Sequence, residues 1–223
     1  MTQILQVHEK NPEKRYIKTA SSMLESGKII LVPTDTGYCF VGDSAKESSH
    51  SNFLALRPSH PKQKPFSLVC KDISQVSHIA QLSTQIFRIA TRIWPGPYTL
   101  ILECNKNTPK VAAGPKRKTV GIRIPSHPIL KGLIEEFQNP LLITSVTDED
   151  ELIADEYFEH DDQVNSWWTN AKEICARAPK GSLALALEND EPVPLRVSTI
   201  VDFSGDSPVL VRDGGWEFDF ING

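Results

Sequence analysis

With 223 residues, 39% of them hydrophobic and 23% charged, and a formal net charge of -4, the chain has the composition of a soluble globular protein able to build one sizeable core. No apolar run approaches the roughly 20 residues of a membrane span, and Met1 to Asn11 is too polar for a signal peptide, so a cytoplasmic protein with no membrane contact is expected. Cys39, Cys70, Cys104 and Cys175 are far apart, with no C-x-x-C pair and no histidine at a zinc spacing, which argues against a structural metal or thiol-redox motif and predicts four buried reduced thiols.

In chain order, Asn11-Pro12 has the form of an N-cap and first-turn pair. Tyr16, Ile17, Ala20, Met23 and Leu24 then recur at helical spacing until Gly27 closes the helix. The stretch that organises the chain follows. An apolar, β-branched run from Ile29 to Val32 is stopped by Pro33, passes through the polar turn Thr34-Asp35-Thr36-Gly37, and resumes from Tyr38 to Val41. Strand, loop, strand is predicted, with two hydroxyls and a carboxylate at one strand terminus, where open α/β sheets hold small polar ligands. An ordinary hydroxyl-rich turn has the same composition.

Ser44 to Leu56 predicts a weak helix. Arg57 to Pro65 then carries three prolines and the cations Arg57, Lys62 and Lys64, a loop placed to fold over a phosphate ahead of the apolar run Phe66 to Val69. Ser74 to Ile79 and Ser83 to Trp94 are helical patterns, broken by Pro95-Gly96-Pro97 before a strand from Tyr98 to Glu103. After a basic loop, Val120 to Pro125 is a strand with Arg123 among isoleucines. A buried arginine there requires an anion, supplied either by a ligand or by a structural salt bridge. Pro128 to Phe137 is an amphipathic helix, and Leu141 to Ile143 a strand ending in Thr144 and Ser145. A helix through Trp167, Trp168, Ala171 and Ile174 and closing strands at Ser198 to Phe203 and Pro208 to Arg212 complete the pattern. Apolar strands ending in Thr or Ser and separated by helices describe an α/β sheet with a polar rim, and no linker long enough to divide the chain is present.

Charge is distributed unevenly along this chain. Asp148 to Asp162 holds nine acidic residues and no lysine or arginine, leaving 24 basic against 19 acidic residues elsewhere. Lys106, Lys110, Lys116, Arg117, Lys118 and Arg123 give the basic part a density suited to polyphosphate or RNA, although solvated loops are built the same way.

Six segments in order then resemble the YrdC/YciO family: VPTDTGY at Val32 to Tyr38, WPGPYTLIL at Trp94 to Leu102, TVGIRIPSHP at Thr119 to Pro128, PLLITS at Pro140 to Ser145, STIVD at Ser198 to Asp202 and VLVRDG at Val209 to Gly214. The resemblance implies one α/β domain over residues 1–223, with an acidic insertion at about 148–180 and a twisted, mixed sheet flanked by helices around a deep basic cavity. It implies synthesis of threonylcarbamoyl-adenylate from L-threonine, bicarbonate and ATP, with Mg2+ accompanying the ATP, for the t6A modification of tRNA. Thr34, Thr36, Arg123 and Ser198 are similar to the family's threonine side, Arg123 to the cation that holds the amino-acid carboxylate. Thr119, Thr144, Ser145, Thr147 and Arg212 resemble positions near the nucleotide, and Arg57, Lys62 and Lys64 stand near the family's Lys-x-Arg loop. No nucleophilic side chain is implied, because carbamate formed on threonine attacks the α-phosphorus directly and the protein positions reactants and neutralises charge.

Two departures resemble the YciO branch. The Lys-x-Arg motif is rearranged to Arg57-Pro58-Ser59, and Ser-x-Asn has become Ser145-Val146-Thr147, where threonine lacks the paired donor and acceptor of an amide. A YciO-like protein binding tRNA or double-stranded RNA through Lys116, Arg117 and Lys118 is the alternative to a synthase, and a binding protein without turnover is a third possibility.

Overall fold

The computed structural model describes residues 2–56, 66–113, 118–146, 169–194 and 196–216. The two apolar runs of the organising stretch form strands β2 (Ile30–Thr34) and β3 (Gly37–Asp43), paired antiparallel with Ile30 opposite Val41 and Thr34 opposite Gly37. Every residue of both strands is buried, which explains why they appear as continuous apolar runs and not as an alternation. Gly37, at φ 98°, supplies the left-handed backbone that reverses the chain.

Around this hairpin stand β1 (Gln3–Val7), β4 (Ser67–Val69), β5 (Tyr98–Glu103), β6 (Thr119–Arg123), β7 (Leu141–Ser145), β8 (Leu185–Asn189), β9 (Thr199–Asp202) and β10 (Val209–Arg212). The ten strands make one mixed sheet in the order β1-β8-β2-β3-β7-β4-β6-β5-β9-β10. Seven helices among the described residues flank it: α1 (Lys14–Glu25), α2 (Glu47–Leu56), α3 (Ile73–Ile79), α4 (Thr84–Ile93), α5 (Lys110–Ala113), α6 (Pro128–Phe137) and α7 (Ala171–Arg177).

Two apolar cores lie on opposite faces of the sheet. On one face Ile17, Ala20 and Leu24 of α1 and Ile129, Leu133 and Phe137 of α6 pack on Ile30, Val32, Val41, Val69 and Ile143. On the other, Phe53 and Leu56 of α2, Val76 of α3, Ile89 and Ile93 of α4 and Ile174 of α7 pack on Leu31, Phe40, Leu68, Leu100 and Ile122. Phe53 presses on the backbone of β3. A Cβ at Gly42 would lie 2.8 Å from Ile29 Cδ1 and 2.9 Å from Phe53 Cε2. Gly42→Ala is therefore expected to cost about 1–3 kcal/mol by overpacking, read as a lower urea midpoint at unchanged slope.

Several expectations are corrected. Helix α1 begins at Lys14 with Glu13 at its N-cap, not at Asn11-Pro12, and Glu13 makes no side-chain capping bond. Strands β1 and β8 have no counterpart in the sequence reading; they pair parallel, Gln3 opposite Leu185, so each finds its partner at the other end of the chain. All four cysteines are free, but only Cys39 and Cys70 are buried, Cys104 and Cys175 being half-buried. Burial pushes the thiols of Cys39 and Cys70 up, which keeps them protonated and non-nucleophilic at neutral pH. At the sheet edge, Val209, Leu210 and Val211 of β10 are exposed.

Candidate functional site

Arg123 ends β6 and is buried, with 4% of its surface exposed. Its guanidinium is held on three sides. Nη2 pairs with Asp35 Oδ1, Nη1 donates to Thr36 Oγ1 at 2.7 Å, and Nε donates to the Gly96 carbonyl at 3.2 Å. The anion that a buried arginine needs is thus provided by the turn between β2 and β3. The second oxygen of Asp35 accepts from the backbone N–H of Ser126 at 3.1 Å and from its hydroxyl at 2.8 Å.

Sequence dictates each arm of this cluster. Thr34 Oγ1 donates to the Gly37 carbonyl at 2.7 Å and accepts from the Thr36 N–H at 3.1 Å, and the two threonine hydroxyls lie 3.2 Å apart. Thr34 and Thr36 are buried, so their hydroxyls fix the turn and steady Arg123 from behind. In the Trp94-Pro95-Gly96-Pro97 loop, Gly96 N–H donates to the Ile124 carbonyl at 2.9 Å. A Cβ on Gly96 would stand 2.5 Å from the Ile93 carbonyl oxygen, so glycine is what allows the Gly96 carbonyl to face Arg123.

In the sheet order β7 and β4 stand between β3 and β6, and the register places the turn and the end of β6 at opposite strand ends, so the sheet curls to bring Asp35 against Arg123.

A second cluster adjoins the first. Ser198 Oγ accepts from the Thr99 hydroxyl at 3.1 Å and from Arg212 Nη2 at 2.8 Å, while Arg212 Nε donates to the Ser198 carbonyl at 2.9 Å. Strand register puts Ser145, Ser67, Gly121, Arg123, Thr99 and Ile101 on one face, with Arg212 opposite Ile200 two strands beyond. Gly121 leaves this floor open, since a Cβ there would lie 2.8 Å from Ser67 Oγ. The face is the one that α1 and α6 cover at its other half. Here Ser67, Thr99 and Ile101 join neither apolar core. Hydroxyls, an ion pair and a second arginine over a partly apolar floor suit a small, charged organic ligand.

The remaining predicted positions divide. Ser145 shares the face of Cys39, whose thiol donates to it at 3.8 Å, whereas Thr144 pairs with Phe40 and points to the opposite side. Thr119 opens β6 opposite Glu103, at the far end from Arg123, and Lys118 beside it is exposed. Arg57, Lys62, Lys64, Thr147, Lys116 and Arg117 lie outside the described residues, as do Trp167, Trp168 and the acidic stretch from Asp148 to Asp162. The Asp35 carboxylate was legible as part of a polar strand terminus but not as the partner of Arg123, and Ser126 and Ser67 had no place in the sequence reading; the signal for Ser126 was a hydroxyl residue three positions after a strand arginine. A cavity of about 430 Å³ lined by Lys28, Asn52, Lys180 and Ser182 sits beside α2 at the other end of β2 and shares no residue with either cluster. Among the described residues no group of three or more His, Cys, Asp or Glu could hold a metal ion, and no helix is long and apolar enough to cross a membrane.

His127, at the N-cap of α6, is buried close to the ion pair. Its Nε2 lies 3.9 Å from Glu9 Oε2, and its Nδ1 is buried with no hydrogen-bond partner. Burial lowers its pKa from 6.5, assisted by Arg123 and opposed by Glu9 and Asp35. The folded state therefore resists a proton that the unfolded chain accepts, and stability present above pH 6.5 is lost as pH falls below it. The urea midpoint is expected to drop between pH 7 and pH 5, and His127→Asn to flatten that drop.

The family model for Sua5, YciO and YrdC proteins, described as "Telomere recombination", matches residues 22–214. The chain is 31% identical over 214 residues to Escherichia coli K12 "Uncharacterized protein YciO", covering 96% of each. It is 26% identical over 222 residues to the threonylcarbamoyl-AMP synthase of Pyrococcus abyssi, spanning 99% of this chain but 60% of that protein. The crystal structure of E. coli YciO superposes with a TM-score of 0.81 at 30% identity, covering 96% of both chains. That of P. abyssi Sua5 complexed with L-threonine superposes with a TM-score of 0.80 at 26% identity, covering 96% of this chain and 58% of the other. By sequence and by fold, this chain belongs to the Sua5/YciO/YrdC family.

Proposed function

We propose that the protein is a nucleotidyltransferase of the threonylcarbamoyl-AMP synthase type, converting L-threonine, bicarbonate and ATP to threonylcarbamoyl-adenylate and pyrophosphate, in the service of tRNA t6A modification. The observation that carries this reading is the cluster of Arg123, Asp35 and Thr36, in which two separate family-like segments combine into one buried charged centre. Support also comes from the likeness to a Sua5 structure complexed with L-threonine.

In this reading the amino acid is received at the Arg123–Asp35 pair, framed by Thr34, Thr36 and Ser198. ATP, with its Mg2+, lies along the face bearing Thr119, Ser145 and Arg212, and Arg57, Lys62, Lys64 and Thr147 are proposed for its phosphates. Thr144, on the other side of the sheet, takes no part. The work of the protein is then to align carbamate and α-phosphorus and to offset charge on the departing pyrophosphate. Incubation with ATP, L-threonine and bicarbonate should release pyrophosphate only when threonine is present; release indifferent to threonine at saturating ATP would exclude the synthase.

Greater likeness to YciO than to the synthases favours a second reading, an RNA-binding protein with weak or absent synthase activity. Affinity for tRNA or double-stranded RNA should then fall steeply between 50 and 200 mM salt, roughly as counterion release demands. Charge reversal at Lys116, Arg117 and Lys118 should weaken it further. Binding insensitive to both changes argues against an RNA partner.

A further inference from the structure

The cavity of about 430 Å³ beside α2 belongs to neither cluster, and its size is that of a small-molecule site, roughly 300–1,000 Å³. Three parts of the chain line it: Lys28 and Ile29 leading into β2, Asn52 and Ala55 of α2, and the loop between α7 and β8. Their backbones are tied to one another. Asn52 Nδ2 donates to the Gly27 carbonyl at 2.9 Å, and the Ala184 N–H to the Ile29 carbonyl at 3.0 Å. The loop is a closed turn, in which the Ser182 N–H and hydroxyl both donate to the Pro179 carbonyl, at 3.0 and 2.7 Å, and Gly181 at φ 84° supplies the left-handed residue. Two lysines, Lys28 and Lys180, line the cavity and no aspartate or glutamate does. Arg123 has its charge matched by Asp35, but among the described residues neither of these lysines has a carboxylate within salt-bridge distance. Lys28 Nζ reaches the Met23 thioether at 3.9 Å, an acceptor without charge. The second N–H of the Asn52 amide adds an uncharged donor. Ile29, Ala55, Pro179 and Ala184 supply an apolar wall.

We propose that this cavity is a second binding site, for a small organic phosphate whose phosphoryl group pairs with Lys28 and Lys180 and whose apolar body rests on Ile29, Ala55 and Pro179. A phosphate monoester carries close to two negative charges at neutral pH and can engage both ammonium groups at once. A carboxylate carries one, and its planar shape is matched by an arginine fork, not by two point charges. Inorganic phosphate satisfies the lysines but leaves the apolar wall in water. The five residues of β2, at about 3.3 Å each, separate the cavity from the Thr34–Gly37 turn by about 16 Å, so the site is independent of the synthase reading.

Phenyl phosphate is the probe, titrated at low salt into the full chain and followed by amide NMR. The signals of Lys28, Lys180, Gly181 and Ser182 and of the Asn52 side chain should move together as one saturable event. Lys28→Gln/Lys180→Gln, at two exposed positions, is expected to weaken binding at least about tenfold, as for loss of charge-assisted hydrogen bonds. Ala55→Phe, also at an exposed position, keeps both charges but fills the apolar seat, and a loss of about the same size is expected. On the unmodified protein, benzoate and inorganic phosphate should each bind at least about tenfold more weakly than phenyl phosphate, a measurement that stands even if a variant does not fold. Absence of a saturable shift at these signals, shifts confined to the surroundings of Arg123 and Arg212, or undiminished binding by either variant overturns the site. Benzoate binding as tightly as phenyl phosphate overturns the phosphoryl assignment, and inorganic phosphate binding as tightly overturns the apolar seat. Threonine-dependent pyrophosphate release should be unchanged in the lysine double variant, so this site and the synthase reading stand or fall separately.

Discussion

Replacing Asp35 with alanine is expected to lower the free energy of unfolding by about 3–5 kcal/mol, the cost of leaving one member of a buried ion pair without its partner. Arg123 would keep only the Thr36 hydroxyl and the Gly96 carbonyl, neither of which carries charge, in a position with 4% exposure. Removing both charges is predicted to be far milder. The double variant Asp35→Ala/Arg123→Met should recover most of the loss, because an apolar pair of similar volume avoids the desolvation that the ion pair must offset. Urea unfolding at constant slope measures this, and a loss under about 1 kcal/mol in the single variant would mean that Asp35 is not the counter-ion on which Arg123 depends. Stability restored without activity in the double variant would separate the architectural part of the pair from its part in recognition.

The second large effect is expected at Arg212. Arg212→Ala should cut threonine-dependent pyrophosphate release by about 10²–10³-fold, the usual consequence of removing a fixed donor from charge that develops during reaction. Arg212 is half-buried and grips Ser198 through both its hydroxyl and its carbonyl, so it is aimed before any ligand arrives. Arg212→Lys keeps the charge but loses the two-pronged geometry, and an intermediate rate is predicted. A fall of less than about threefold in Arg212→Ala would remove Arg212 from the nucleotide side of the site. Gly214 is tied to the same arrangement. Its ideal Cβ would lie 2.3 Å from the Val197 carbonyl oxygen, a backbone atom that cannot turn aside, so a side chain there would push the end of β10 away from Ser198.

Much of the architecture was legible because local signals and tertiary fate agreed. Pro128 opens α6 and the apolar spacing runs unbroken to Phe137, so the helix lies where periodicity puts it. The Pro95-Gly96-Pro97 breaker fixes the start of β5 equally well. Strands β1 and β8 were illegible for a physical reason: each has five residues, and they pair with each other across almost the whole chain, Gln3 with Leu185, β8 pairing also with the distant β2. In the site, residue types were readable but directions were not. Thr34 and Thr36 are hydroxyls at a strand end, as expected, yet the turn uses those hydroxyls itself. Sequence left the partner of Arg123 open between a ligand and a salt bridge, because Asp35 reaches it only once the strands between them are paired.

That long-range closure bears on how the protein folds. The Arg123–Asp35 bond joins residues 88 positions apart and the Thr99–Ser198 bond residues 99 apart, so neither cluster can belong to an early, local nucleus. A chain of such high contact order folds slowly, and these contacts form when the intervening strands are already in register. Both clusters are thereby confined to fully assembled molecules, and a partly folded chain leaving synthesis has neither.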